Sequence, residues 1–147
     1  MVTYCTDQDL LKYRPNILSL GVDSWEDQRE MAHTDINRII TAKWYRQAAQ
    51  KMGYDPDLVA FVPESVQDDT LKKLECYRTL EYAYMHLMKE SEKEDGFQRN
   101  MDLYARLYST ELGTILSIGI KYDWTGDGSI DSSENQLLPA QRRLYRG

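Results

Sequence analysis

Two long amphipathic stripes separated by a short polar break constrain this chain more than any other feature in it. Over about 67–91 the apolar residues Leu71, Leu74, Tyr77, Leu80, Tyr84, Leu87 and Met88 recur every three or four positions. Over about 95–121 Phe97, Met101, Tyr104, Leu107, Tyr108, Leu112, Ile115 and Ile118 do the same. That spacing lines each set along one side of a helix with 3.6 residues per turn. The polar break from Ser91 to Gly96 is short enough to fold the two helices antiparallel.

Upstream, the sequence supplies two more helices. Thr6 followed by Asp9 forms an N-cap signature, which predicts a short helix over 7–13 ended by Arg14-Pro15. Ser24 caps a longer helix, with Glu26 and Asp27 in its first turn to complement the dipole. Its apolar positions Met31, Ile36, Ile39, Ile40 and Trp44 share one face, and it stops near Met52-Gly53. Residues 53–66, with Gly53, Pro56 and Pro63, form a connecting loop whose apolar run Leu58–Val62 is expected to pack onto the domain. The fold class is therefore all-α, a small bundle of three long helices plus a short N-terminal one. A turn or hairpin and an extended C-terminal tail follow it. On this reading 1–122 is the bundle and 123–147 the turn and arm.

Composition narrows the function. A chain of 147 residues is one domain by length and can bury a sizeable core. Its net charge of -6 argues against a phosphate-binding face, and only the extreme C-terminus is basic. The first residues carry no secretory signal, and no apolar run reaches the roughly 20 residues that span a bilayer. The two cysteines, Cys5 and Cys76, lack metal-type spacing, so a reduced intracellular setting is expected. Eleven tyrosines against two phenylalanines suggest half-buried, hydrogen-bonding contact surfaces.

No catalytic motif is present: there is no Gly-x-Ser-x-Gly, no phosphate loop, and no histidine near either cysteine in sequence. His33 and His86 each fall within a helix and are read as surface or edge residues. Glu30-Met31-Ala32-His33 has the local spacing of a carboxylate-bridged metal bundle, but no second copy exists, so it reads as a solvated face. The chain is expected not to be an enzyme.

One segment carries metal chemistry in its spacing. From Asp123 to Glu134, oxygen donors fall at loop positions 1, 3, 5, 7, 9 and 12: Asp123, Thr125, Asp127, Ser129 through its carbonyl, Asp131 and Glu134. Gly128 permits the sharp turn such a loop needs. Against calcium stand the threonine at the third position, the absence of a second loop, and Pro139, which curtails an exiting helix. The competing reading is a type I′ turn at Asp127-Gly128, flanked by short strands at 121–124 and 129–131. The residues weigh toward the turn. The expectation is no cofactor, with calcium as the alternative.

The tail is the remaining oddity. Pro139 to Gly147 holds three arginines and no acid on an otherwise acidic chain, and is too short to fold alone.

In order, Tyr4-Cys5-Thr6-Asp7-Gln8-Asp9-Leu10-Leu11, the Trp25 to Trp44-Tyr45 helix and Leu74-Glu75-Cys76-Tyr77-Arg78-Thr79-Leu80-Glu81 open the pattern. The run from Leu107-Tyr108-Ser109-Thr110-Glu111-Leu112 to Gly119-Ile120-Lys121-Tyr122-Asp123-Trp124 and the arginine-rich tail complete it. Over nearly the whole chain this arrangement resembles the head–tail connector (adaptor) proteins of tailed bacteriophages. The resemblance implies a virion structural protein, assembled in the host cytoplasm, that forms a homo-oligomeric ring, usually dodecameric, beneath the portal. Such a ring extends the DNA channel and docks the next neck or tail component. DNA would pass without sequence-specific binding, and no membrane would be involved. By the same analogy Arg142, Arg143, Leu144, Tyr145 and Arg146 would contact the portal protein. The loop 53–66 and the segment 123–134 would meet neighbours or neck components.

Overall fold

The computed structural model describes residues 2–67, 69–90, 95–126, 128 and 138. The protein is all-α, and the only extended pairing among the described residues is an isolated antiparallel bridge between Val66 and Tyr122. Among the described residues five α-helices follow in order: α1 (Asp7–Leu11), α2 (Glu26–Ile40), α3 (Arg46–Lys51), α4 (Lys72–Glu90) and α5 (Asp95–Ile118). A π-helical turn, Thr41–Tyr45, joins α2 to α3 without a break. The chain divides into two compact units. The first is Met1–Ile36 with Leu71–Leu112, the second Asn37–Thr70 with Gly113–Gly147.

In the first unit the polar start of the chain is tied down residue by residue. Thr6 caps α1 through a reciprocal box: its hydroxyl accepts from Asp9 N, and the Asp9 carboxylate accepts from Thr6 N at 2.9 Å. Burial pushes the Asp9 carboxyl up. The Thr6 hydrogen bonds, with Lys72 and Lys12 beside it, outweigh that and hold it below its ordinary value. The helix ends at Leu11 rather than 13, because Tyr13 N and Arg14 N both close on Leu10 O before Pro15. Asp7 then organises the start of α2, accepting from the Ser24 hydroxyl at 2.7 Å, Trp25 N at 3.2 Å and Arg29 Nε at 3.1 Å.

Along α4 and α5 the contacts run in opposite senses. Lys73 pairs with Glu111, Tyr77 meets Tyr104, and Tyr84 meets Phe97, so the two helices are antiparallel as their stripes predict. Arg14 locks the turn after α1 to α5, donating to the Tyr104 hydroxyl at 2.8 Å and the Asn100 side chain at 2.9 Å. Trp25, wholly buried, donates its indole N–H to Ile17 O at 3.0 Å.

The deepest polar feature of this unit corrects the reading of His33 as a surface or edge residue. His33 is 6% exposed, and its Nδ1 lies 2.8 Å from Glu75 Oε1. The other oxygen of Glu75, itself fully buried, accepts from Cys5 N at 2.6 Å. One carboxylate thereby joins the N-terminal segment, α2 and α4. A buried carboxylate survives only when its lone pairs are occupied, and here both oxygens are. Cys5 completes the cluster, with its Sγ 3.9 Å from the Thr79 hydroxyl. The hydrogen bond to Cys76, then burial, push the Cys5 thiol well above its ordinary value, so it stays protonated and poorly nucleophilic.

Two residues placed on buried stripes lie outside them. Met31 and Ile118 are each 53% exposed. Ala32, His33 and Ile36 form the covered face of α2 in this unit, one position out of phase with Met31.

The second unit is built on the π turn. Arg46 N reaches back five residues to Thr41 O, widening the helix by one residue, and the Thr41 hydroxyl donates to Asn37 O at 2.7 Å. The wider turn lets consecutive residues Trp44 and Tyr45, each 1% exposed, bury side by side. Gly53 closes α3 at φ +87°, a left-handed position that favours glycine, with Gly53 N on Gln50 O and Tyr54 N on Ala49 O.

The apolar loop divides. Phe61 packs on Tyr45 and Tyr122, whereas Leu58 is 83% exposed and Val59 and Val62 also face outward, contrary to the expectation that the whole run packs. The reason is that the backbone holds the segment: Tyr45 Oη donates to Val59 O and Val62 N donates to Tyr122 Oη, so its side chains are free to point away. α4 begins at Lys72 rather than 67 because Gln67 N pairs with Lys121 O in extended geometry. α5 stops at Ile118 rather than 121, where Gly119 N closes on Ile115 O at 2.7 Å.

Candidate functional site

Three places carry chemistry beyond simple packing. The first is the start of the calcium-like loop, in the second unit. Asp123 is half-buried, and its backbone N donates to Ser65 O at 2.8 Å. Its carboxylate gathers the loop around itself. Oδ1 accepts from Gly126 N at 3.0 Å and from the Thr125 hydroxyl at 3.4 Å, while Oδ2 accepts from Gly128 N at 2.8 Å. Gly126 and Gly128 take φ of +74° and +87°. This is an aspartate-capped turn, closed by the hydrogen bonds from Gly126 N, Gly128 N and the Thr125 hydroxyl.

Of the six residues with calcium spacing, the structure describes Asp123 and Thr125. Asp127, Ser129, Asp131 and Glu134 lie outside the described residues, as do the second expected strand, 129–131, and the arm residues Arg142, Arg143, Leu144, Tyr145 and Arg146. Among the described residues no group of three or more His, Cys, Asp or Glu side chains is placed to hold a metal. No helix described is long and apolar enough to cross a membrane.

The second place is the aromatic cluster under that loop. Trp124 stacks on Tyr45 and Tyr54 at 5.7 and 5.8 Å between ring centres, and Tyr122 stacks on Phe61 at 5.6 Å. Trp44 meets both Tyr122 and Trp124, and its indole N–H donates to Leu138 O at 2.7 Å. Offset-stacked and edge-on rings each add about 0.5–1.5 kcal/mol beyond their burial. The chain is therefore pinned at 122, 124 and 138, on the approach to the basic arm. Sequence reasoning missed this cluster as a unit, although the excess of tyrosine over phenylalanine was its signal.

The third place is a groove in the first unit, along the face of α2 that solvent reaches. Asp27, Glu30, Met31, Thr34 and Asp35 follow the three- and four-residue spacing of one helix face. With Tyr82 of α4 they line an open groove of about 570 Å³. Asp35 accepts from the Tyr82 hydroxyl and lies 3.5 Å from Arg78 Nη2. Arg78 in turn sits 4.7 Å from the centres of both the Tyr82 and Tyr108 rings and donates to Glu81 at 2.8 Å. Burial, and then the hydrogen bond to Asp35, push the Tyr82 phenol above its ordinary value, so it remains a donor. This end of the groove is rigid. At the other, Asp27 and Glu30 have no ion pair among the described residues.

No protein-family model, curated protein or solved structure matches the chain. The fold and these sites define a small all-α protein whose chain is held at Tyr122, Trp124 and Leu138, ahead of an arginine-rich sequence.

Proposed function

We propose that this protein is a virion structural protein, a head–tail connector that forms a ring between the portal and the neck or tail of a tailed bacteriophage. The observation that carries the reading is the anchoring of the chain just ahead of its basic segment. Tyr122 and Trp124 are buried in an aromatic cluster, and Trp44 holds Leu138, one residue before Pro139. A charged arm leaving a rigid base is suited to docking, and arginine and tyrosine are favoured at interface hot spots. In this reading Arg142, Arg143, Leu144, Tyr145 and Arg146 contact the portal protein. The exposed Leu58, Val59 and Val62 of the loop 53–66 meet a neighbour or neck component. The net charge of -6 lets DNA slide past, where a basic wall would retain it. The role is non-catalytic.

Co-sedimentation with purified portal tests this directly. The full chain is expected to assemble on the portal as a ring whose mass gives the copy number. A chain lacking 139–147 should keep its helical circular dichroism and lose docking. A full chain that stays monomeric beside portal and is missing from virions removes the reading.

A second reading, a single-loop calcium-binding regulatory module, is favoured by the Asp123 turn, which presents a carboxylate at the first ligand position. Under it, calorimetry returns a dissociation constant on the order of micromolar, the range of sensor loops, and Asp123→Asn or Glu134→Gln abolishes the heat. No heat at millimolar calcium eliminates it.

A further inference from the structure

We infer that the groove along α2 is the seat for the C-terminal arm of a second copy of this chain. The inference stands beside the connector reading and does not depend on the portal. It gives the same arm a second seat, for which the portal would compete.

The groove has an apolar floor with acidic ends. Met31, 53% exposed, lies at its centre, with the Tyr82 ring beside it. Asp27 and Glu30 stand on the N-terminal side and Asp35 on the C-terminal side. An exposed thioether adapts to whatever side chain meets it, which suits a binding surface better than a solvated helix face. Its occupant should therefore be cationic at both ends and apolar between.

Acid-free stretches have that composition at Lys43 to Arg46 and at the C-terminus; in the first the rings of Trp44 and Tyr45 are buried, which leaves the C-terminal one. Between Pro139 and Gly147 lie Arg142, Arg143 and Arg146, with Leu144 and Tyr145 among them and no acid. Bound as an extended strand, the arm would set its alternate residues Arg142, Leu144 and Arg146 on one face. At about 3.4 Å per residue, the two arginines are about 14 Å apart. Along a helix rising 1.5 Å per residue, Asp27 and Asp35 are about 12 Å apart. The register therefore sets Arg142 and Arg146 against the acidic ends and Leu144 over Met31, in either direction of the arm. Arginine suits the task, because its planar fork pairs two-pronged with a carboxylate.

An arm on one copy and a groove on the next are two different surfaces. Such a contact is heterologous, and repeated head to tail it closes into a ring or runs on as a filament. The groove thus supplies a route to self-assembly in the absence of any other protein.

Sedimentation velocity on the full chain, without portal, tests the inference. The protein is expected to self-associate at low salt and to dissociate as salt rises. Reversing the groove with Asp27→Lys and Glu30→Lys, or the arm with Arg142→Glu and Arg146→Glu, should each weaken association by about tenfold or more, through surface charge pairs turned from attractive to repulsive. Mixing the two reversed proteins should restore association, since the unreversed arm of one then meets the unreversed groove of the other. Helical circular dichroism confirms that the groove variant is folded. Should it fail to fold, the arm variant and its salt dependence carry the test. A wild-type chain that is monomeric at low salt overturns the inference, as does association indifferent to both reversals. So does a mixture that stays apart. None of these outcomes touches portal binding, so failure here and failure of the connector reading are separable.

Discussion

Replacing Glu75 with alanine is expected to cost about 3–5 kcal/mol, the range for removing one member of a buried, mutually satisfied polar pair. Glu75 is fully buried and occupies two donors from different parts of the chain, Cys5 N at 2.6 Å and His33 Nδ1 at 2.8 Å. Alanine leaves both in a dry interior with no partner and opens a cavity beside Thr79, which is also fully buried. A domain of this size is stable by about 5–15 kcal/mol, so the loss is a large share of the whole. Glu75→Gln keeps one acceptor but turns its amide NH2 toward the second donor, so it should cost about 1–3 kcal/mol, the penalty for one unsatisfied buried group. Urea unfolding followed by far-UV circular dichroism gives both values. An alanine variant within about 1 kcal/mol of wild type would mean that Glu75 does not hold the N-terminal segment to α4.

The long helices were legible because they repeat a simple physical rule. Tyr77, Leu80, Tyr84 and Leu87 recur at helical spacing and are all buried, and the pairings of Lys73 with Glu111 and Tyr84 with Phe97 follow from the short break between the stripes. Polar burial obeys no such repeat. Leu71, just ahead of α4, and Glu75, Thr79, Ala83 and Leu87 within it follow one four-residue spacing, and all five are buried. Two polar residues on an otherwise apolar ridge were the available sign of an internal network, but their partners, Cys5 and His33, come from distant sequence. The phase of α2 was misjudged for a related reason. Met31 counts as apolar in any periodicity, yet His33, matched to Glu75, takes the buried position. Nor does composition announce the π turn, which depends on the Thr41 hydroxyl meeting Asn37 O and on the burial of two adjacent rings. Of the calcium-spaced residues, spacing alone gave the alignment. Spacing does not announce that Gly126 N and Gly128 N converge on the Asp123 carboxylate.

Trp44→Ala is expected to be the most damaging change in the second unit, at about 3–5 kcal/mol for removing a buried tryptophan. The side chain is 1% exposed, meets Tyr122 and Trp124 at 5.9 and 5.8 Å between ring centres, and gives its indole N–H to Leu138 O. At roughly 2–4 °C per kcal/mol for a chain of this length, the melting temperature falls by about 6–20 °C. Trp44→Phe separates the two contributions, since it retains a ring in the cluster but loses the donor to Leu138. Trp124→Phe is the control: its indole N–H is buried with no hydrogen-bond partner among the described residues, so losing that donor should cost less than losing the one on Trp44. Thermal melts should therefore rank Trp44→Ala as the largest loss, Trp44→Phe next and Trp124→Phe least. If the two phenylalanine variants melt together, the Trp44–Leu138 hydrogen bond contributes nothing. The base proposed for the arm would then reduce to the packing of Tyr122 and Trp124 alone.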